Sequence, residues 1–511
     1  MGITLGRKNV LCGVAAFVSA LLLWAAYPPH SEVFAILVAL VPILVTVRIA
    51  SPKRSALTCF AFGLLYWVLS LSWMPAIIKN NGPWPLVLLG WFALAAACAA
   101  YFALFGYLAS TVWSRGRRFG APSVLCLFCE PILWAGCEYM RATLFTGFAW
   151  NFLGTAFAAM PSFAAPARFG GVYLVSALVV LLNGVFATLL LRISAPIMGD
   201  GFVSVGASRM RRRAIQIMET GLPLLAILAC QYVGNKMVVD SRQADQEGVS
   251  VRVALIQRNA PCVFNARKGE NPYEAFAGLI DVAAAAKPDI LVFAESAMSE
   301  FGQVRSFRAQ DVAREFLIRS GARALIAGGD DVVSNRTYNA AAFYAMESGA
   351  GGMVSTQVYH KQHLVPFGEY IPFDKLIPAL QGLSPIGVSL YAGEPMLFEF
   401  TASAGRKIKI APLICYEDTD PRLAAVAKRM GADMIVLITN DSWFSNSAEA
   451  EAHAAQAVLR AVETGLPIVR VGNSGVSGVI RSDGTARWLT DENGRPLTDS
   501  PGVMVETVSV R

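Results

Sequence analysis

Charge is scarce in this chain: 15% of its 511 residues are Asp, Glu, Lys or Arg, against about a quarter in soluble globular domains. Histidine is rarer still, with four in all. With 55% hydrophobic residues and a mean hydropathy of +0.49, an ordinary water-soluble protein is excluded. There is no internal repeat and no low-complexity tract. Nine cysteines are present but form no disulfide framework. Cys12, Cys59, Cys98, Cys126, Cys129, Cys137 and Cys230 lie in or beside apolar runs, where cysteine behaves as a small hydrophobe. Cys126-Leu-Phe-Cys129 has a C-x-x-C spacing but no partner pair, so it reads as neither a redox nor a metal site. Only Cys262 and Cys415 remain in the polar half. The net charge of +7 does not point to nucleic acid, because the basic residues collect in short loops between apolar runs.

The length allows two or three domains, and the charge is divided unevenly. Few charges fall in residues 1–190, and most acids fall after residue 240. Crossing a ~30 Å hydrocarbon core takes about 20 apolar residues. Spans are expected near 9–27, 33–48, 56–77, 84–113, 121–139, 170–192 and 216–235. The second is short, and the fourth is long enough to tilt or bend. The first lacks a small-residue cleavage site and is followed directly by others, so it is expected to be a span and not a removed signal.

Arg7 and Lys8 precede the first span, and Arg48, Lys53 and Arg54 follow the second. Arg115, Arg117 and Arg118 follow the fourth, and Arg192, Arg209, Arg211, Arg212 and Arg213 lie between the sixth and seventh. The alternate loops carry only Lys79, Arg141 and Arg168. The positive-inside rule then sets the N-terminus in the cytoplasm, and an odd span count delivers the C-terminal half to the outer face. The expected division is a transmembrane domain of about seven spans over 1–240 and an outer domain over 241–511.

Within the membrane half, Glu130, Glu138 and Arg141 are costly unless paired or facing water. Glu138 and Arg141 are one helical turn apart and can pair. The run Phe145-Thr-Gly-Phe-Ala-Trp-Asn-Phe152 reads as interfacial or re-entrant. It fits either a structural ion pair with an aromatic belt or a lipid entrance.

From about residue 250 the texture is α/β. Strands are expected at 251–256, 290–294, 324–327, 340–344, 407–414, 434–439, 468–471 and 476–480, several as continuous apolar runs buried on both faces. Helices are expected at 272–287, 309–321, 421–431 and 447–465. The apolar, turn-rich segment 373–397 reads as a lid or membrane-dipping loop.

The chemistry gathers at strand ends. Cys415 follows the strand ending at Ile414, where free backbone N–H groups can bind an oxyanion. Glu295 ends the run Ile290-Leu-Val-Phe-Ala-Glu295, and Lys361 lies in Tyr359-His-Lys-Gln-His363. A thiol near pKa ~8.5 is mostly protonated at neutral pH. An ammonium such as Lys361 favours the thiolate and can stabilise a tetrahedral oxyanion. A carboxylate such as Glu295 can take the thiol proton. These residue types alone leave a buried structural cysteine as the default reading. His360 and His363 complete no metal site. His453, on an Ala-rich helix, reads as a structural hydrogen-bonding group rather than a catalytic base.

The three motifs, in this order, resemble the nitrilase superfamily. Further matches are Leu364-Val-Pro-Phe-Gly-Glu-Tyr370, Ile414-Cys-Tyr-Glu417, Thr439-Asn-Asp-Ser-Trp-Phe444, His453 with Arg460-Ala-Val-Glu463, and Asn473-Ser-Gly475. The membrane half, with Pro131, Trp134, Glu138, Arg141 and Gly147-Phe-Ala-Trp150, narrows this to a resemblance to the apolipoprotein N-acyltransferase family over nearly the whole chain. The resemblance implies a multi-span α-helical membrane bundle plus an extracytoplasmic α/β nitrilase-like domain, an αββα sandwich.

It further implies Glu295 as general base, Lys361 as oxyanion-stabilising cation and Cys415 as nucleophile. Glu369 would orient the lysine and share proton handling. Tyr416 and Glu417 would support the cysteine turn, with the Tyr416 amide as an oxyanion donor. The implied reaction takes a fatty acyl group from a phospholipid as a thioester on cysteine. The acyl group then passes to the α-amine of the S-diacylglyceryl cysteine that begins an apolipoprotein, a ping-pong scheme. No cofactor, metal or nucleic acid is implied. A monomer is expected, in a bacterial cytoplasmic membrane with its catalytic domain outside.

Three departures stand out. Phe293-Ala-Glu295 replaces the family's usual Trp-Pro-Glu. Phe264 is the nearest aromatic to a position where many members carry tryptophan. The sequence also stops at Val510-Arg511 without a further membrane span, so the outer domain is expected to be anchored at one end or the sequence to be shorter than the family's. Other readings are a membrane-tethered amidase that hydrolyses a small amide and a non-catalytic lipoprotein-binding scaffold.

Overall fold

The computed structural model describes residues 5–511 except 81, 121, 199–208, 262–269, 347–353, 373, 375, 377–388 and 403–404. Cys262, Phe264 and most of the expected lid at 373–397 lie outside the described residues. The chain divides into two compact units, one of Met1–Pro75 with Pro83–Met237 and one of Ala76–Gly82 with Val238–Arg511.

The first unit is helical: α1 (Leu5–Ala25), α2 (Val41–Ile49), α3 (Pro52–Ser70), α5 (Trp84–Phe119), α6 (Ser123–Thr143), α7 (Ala167–Met198) and most of α8 (Arg209–Gln246). Among the described residues, four helices are long and apolar enough to cross a membrane: Trp84–Phe119, Ser123–Thr143, Ala167–Ser194 and Ile217–Gln246. The chain is a membrane protein. The second expected span is not one helix. It is a 3-10 turn at Val33–Leu37 followed by α2, with Pro42 in the first turn of the new helix, where a missing N–H costs nothing.

Three charges sit differently from their sequence reading. Arg48, read as a loop charge, is 1% exposed and forms a two-pronged pair with Glu130, Nε to Oε1 at 2.9 Å and Nη2 to Oε2 at 2.6 Å. Trp113 Nε1 also donates to Glu130, at 2.7 Å. Glu138 and Arg141 both turn toward the segment that follows them. Arg141 donates to the carbonyls of Phe148 and Trp150, each at 2.7 Å, and Glu138 accepts from the Leu153 amide at 2.8 Å. The pair thus braces the aromatic run 145–152 from within.

The second unit is two six-stranded sheets. One runs in the order β12-β1-β2-β3-β4-β5, the other β11-β10-β9-β8-β7-β6. The first holds β1 (Val249–Gln257), β2 (Ile290–Phe293), β3 (Ala324–Val333), β4 (Arg336–Met346), β5 (Val354–His360) and β12 (Gly502–Val510). The second holds β6 (Phe398–Thr401), β7 (Lys407–Ile414), β8 (Met434–Thr439), β9 (Ile468–Gly472), β10 (Gly478–Ile480) and β11 (Ala486–Trp488). Their inner faces share one core, with Val253, Leu255, Ile290 and Val292 packed against Ile408, Ile410, Met434, Val436 and Val471.

Helices α9 (Pro272–Ala284) and α10 (Phe307–Ser320) cover the outer face of the first sheet. Helices α11 (Pro421–Arg429) and α12 (Glu449–Thr464) accompany the second. The result is the αββα sandwich. Side chains of Asn271, Ser306 and Asp420 cap α9, α10 and α11, satisfying amides that a helix start leaves without partners. The four-residue α4 (Ala76–Lys79) joins this unit through Asn80, whose Nδ2 donates to the carbonyls of Ser442 and Trp443 at 3.1 and 2.9 Å.

Candidate active site

The strand ends that the sequence singles out converge. β1, β2 and β3 run parallel, as do β7, β8 and β9, and ligands in such sheets gather beyond the C-terminal strand ends. Glu295 lies just past β2, Lys361 just past β5 and Cys415 just past β7.

Lys361 is 1% exposed, with Nζ 3.0 Å from Glu369 Oε1 and 3.7 Å from Glu295 Oε1. Asn339, on β4, donates through Nδ2 to both carboxylates, at 2.7 Å to Glu295 and 2.6 Å to Glu369. The other oxygen of Glu369 accepts from the Val365 amide at 2.8 Å. Burial alone would lower the lysine's pKa. Glu369 and Glu295, then Cys415 and Glu417, more than reverse that and hold the ammonium charged well above its usual range. Burial raises Glu295, with Lys361 opposing it and Glu369 adding to it.

Cys415 heads a 3-10 turn, Cys415–Thr419, with φ of 52°, a left-handed conformation that a side chain adopts only when its surroundings impose it. The Glu417 carboxylate, itself fully buried, braces the turn. Its oxygens accept from the amides of Ile414 at 2.7 Å, Gln362 at 2.6 Å and His363 at 3.1 Å, and from the Tyr359 hydroxyl at 2.8 Å. One side chain therefore ties the cysteine turn to the chain on either side of Lys361. Tyr416, next along, meets the His363 ring edge-on at 5.3 Å.

Electrostatics set the resting state of the sulfur. Burial and then Glu295 push the Cys415 thiol well above its usual range, and Lys361 only partly offsets them. The ammonium favours the thiolate but does not win, so the resting sulfur keeps its proton. A nucleophile, a carboxylate base and a fixed cation are the parts that acyl transfer through a covalent intermediate requires.

The backbone is fitted closely around these groups. A β-carbon on Gly328 would lie 2.6 Å from the Cα of Glu295, so only glycine lets β3 pass so near Glu295. Phe293, at the position of the family's tryptophan, is fully buried and stacks on Phe276 with centroids 4.6 Å apart; its place is in the core. Two further groups join the site, of which the motifs did not single out Asn339. Asn339 is marked in the sequence only as an asparagine at the start of the apolar run Ala340–Tyr344, a residue that strands disfavour. Thr439, which opens the matched run Thr439–Phe444 at the end of β8, lowers the Cys415 thiol against the effect of burial.

The chain matches two family models. Residues 19–185 match the apolipoprotein N-acyltransferase N-terminal domain, and residues 252–508 match carbon-nitrogen hydrolase. Curated relatives named apolipoprotein N-acyltransferase span nearly the whole chain. That of Geobacter metallireducens is 30% identical over 95% of this chain and 87% of its own. Those of Brucella suis and Haemophilus ducreyi are 29% and 26% identical, covering 94% and 84% of this chain and 88% and 79% of theirs.

Proposed function

Because the chain belongs to the apolipoprotein N-acyltransferase family, we propose that it moves a fatty acyl group from a membrane phospholipid to the α-amine of the S-diacylglyceryl cysteine that begins an apolipoprotein. It is an N-acyltransferase on a carbon-nitrogen hydrolase fold. The observation that carries the assignment of roles is the cluster of buried Glu295 and Lys361 with part-buried Glu369, beside a cysteine held in left-handed backbone.

In the first half-reaction Glu295 takes the Sγ proton as sulfur adds to the ester carbonyl carbon. The oxyanion draws on Lys361 Nζ and the Tyr416 amide. Collapse breaks the carbon–oxygen bond, and the departing lysophospholipid oxygen receives the proton from Glu295. In the second, the free amine adds to the thioester carbon and gives its proton to Glu295. The carbon–sulfur bond then breaks and the thiol is restored. Glu369 keeps Lys361 charged and shares proton handling, and Glu417 holds the turn on which the sulfur rides.

The loop charges support an N-terminus in the cytoplasm and a catalytic domain, residues 241–511, on the periplasmic side of a bacterial inner membrane. Residues 1–240 form the membrane domain, and the enzyme acts as a monomer. Intact-protein mass spectrometry tests the scheme. Detergent-solubilised enzyme given a phospholipid of defined chains should gain one acyl mass, absent in Cys415→Ala and discharged by a diacylated lipopeptide. An adduct that decays in water and ignores the lipopeptide would overturn the acceptor assignment in favour of a hydrolase.

A further inference from the structure

Behind Cys415, four elements converge on one buried histidine. His453, on α12, is 2% exposed; its Nε2 lies 3.0 Å from Asp418 Oδ1 and its Nδ1 3.0 Å from Asp441 Oδ1. A neutral imidazole has one donor and one acceptor nitrogen, while a carboxylate offers only lone pairs. Carboxylates on both nitrogens therefore call for two N–H groups, an imidazolium.

The surrounding charges agree with that. Arg470, on β9, meets Asp441 Oδ2 at 3.2 Å. Arg460, on α12, donates to the carbonyls of Asp418 and Thr419 and pairs with Glu463 at 2.7 Å. Glu449 lies 3.5 Å from Nδ1, and burial followed by Asp441 pushes it up to about 8, so it is neutral near pH 7. Asp418 and Asp441 are thus balanced by His453 and Arg470. Asp441, Glu449 and His453 are close enough together to suggest a cation site. An imidazolium with both nitrogens protonated has no lone pair to give a metal, so the cluster serves another purpose.

That purpose follows from what the two aspartates hold. Asp418 belongs to the turn headed by Cys415, and Asp441 opens the turn after β8. Thr439 Oγ1, whose influence lowers the Cys415 thiol, donates to Asp441 Oδ1 at 2.8 Å. That oxygen is therefore shared between the Thr439 hydroxyl and the imidazolium. A hydroxyl has one proton. While sulfur is a thiol, the proton can remain on Asp441; once sulfur is a thiolate, it must turn to the sulfur and leave Asp441 to His453.

We propose that His453 is a positioning residue for the nucleophile. As an imidazolium spanning Asp418 and Asp441, it pins the Cys415 turn to the end of β8 and frees the Thr439 hydroxyl to donate to the thiolate. The inference rests on Cys415 being the nucleophile.

The test follows iodoacetamide alkylation of Cys415 against pH in the full-length enzyme, together with single-turnover thioester formation. His453→Gln should raise the alkylation midpoint by about one pH unit and slow thioester formation about 10- to 100-fold, with the phospholipid concentration for half-saturation unchanged. Adding Asp418→Asn removes one negative charge along with the lost positive one, and should bring the midpoint back toward wild type. A purely structural histidine would lower the melting temperature of both variants and leave the midpoint in place, which would overturn the proposal.

Should His453→Gln fail to fold, 15N-imidazole NMR of the wild type decides. One of the four histidines should stay doubly protonated at about pH 8.5 and shift in Asp418→Asn; no such signal would overturn the proposal. Cys415→Ala runs alongside. A thioester surviving there would defeat the nucleophile assignment and this inference with it. A silent Cys415→Ala beside an unmoved His453→Gln midpoint would defeat the role of His453 alone.

Discussion

The ammonium of Lys361 stands 3.0 Å from Glu369 but 3.7 Å from Glu295. The closer contact is to Glu369, which leaves Glu295 freer to exchange a proton. Glu369 also takes the Val365 amide on its second oxygen, so it is fixed where Glu295 is only braced.

Glu369→Ala should therefore cost more than its distance from the sulfur suggests. Removing one partner of a buried ion pair leaves a poorly compensated charge, at about 3–5 kcal/mol. Single-turnover mass spectrometry is expected to find thioester formation or its discharge slowed about 100-fold or more. Unchanged rates in both half-reactions would contradict the role given to Glu369.

Cys415 should set stability against activity. Cys415→Ser is expected to lose turnover by several orders of magnitude, about what removal of a nucleophile costs. Cys415→Gly and Cys415→Ala should both be inactive, but the glycine variant escapes a left-handed penalty of about 1 kcal/mol. Thermal unfolding should thus rank glycine above alanine; the reverse order would mean that the turn is not strained.

Glu449 makes stability fall with pH. Its folded value is pushed up to about 8, whereas an unfolded glutamate titrates near ~4.3. Between the two, the folded chain keeps a proton that the unfolded chain has lost, so stability declines as pH rises and levels off above 8. Glu449→Gln should flatten the slope of melting temperature between about pH 5 and 8 and exceed wild type at pH 8. An unaltered slope would rule this out.

In the membrane unit, Glu130→Gln strands the buried Arg48 and should cost about 3–5 kcal/mol. Arg48→Met with Glu130→Leu removes both charges and should recover most of that loss, since apolar replacement of a buried pair is often neutral. Detergent-unfolding midpoints of the two variants provide the comparison.

Much of the α/β unit is legible in the sequence because its buried strands are short continuous apolar runs and its helices carry one apolar face. β1, β2, β7 and β8, and helices α9 to α12, fall where periodicity sets them. Other strands escape for physical reasons. β5, which carries the chain to Lys361, is an edge strand of Val-Ser-Thr-Gln-Val-Tyr-His, half exposed for most of its length, and so lacks an apolar run. β12 pairs antiparallel with β1 along its full length, a contact between the two ends of the unit that no local pattern announces.

The site divides the same way. Glu295 and Cys415 stand out as polar residues ending apolar strands. The ion cluster around His453 does not, because residues 418, 441, 453 and 470 come from four separate elements and meet only in the fold. The Glu138–Arg141 spacing suggests a mutual pair, yet the backbone groups of the next segment compete successfully for both side chains.

The α/β unit is interrupted in the gene. Ala76–Gly82 leaves the ribosome well before Val238, yet it is Asn80 that donates to the carbonyls of Ser442 and Trp443. A fragment cut to begin at Val238 omits that donor, however well its sheets assemble. In a mutational scan, substitutions at Asn80 should therefore group with those of the turn at 441–444 rather than with the flanking apolar helices, and supplying residues 76–82 in trans becomes part of any attempt to study the α/β unit by itself.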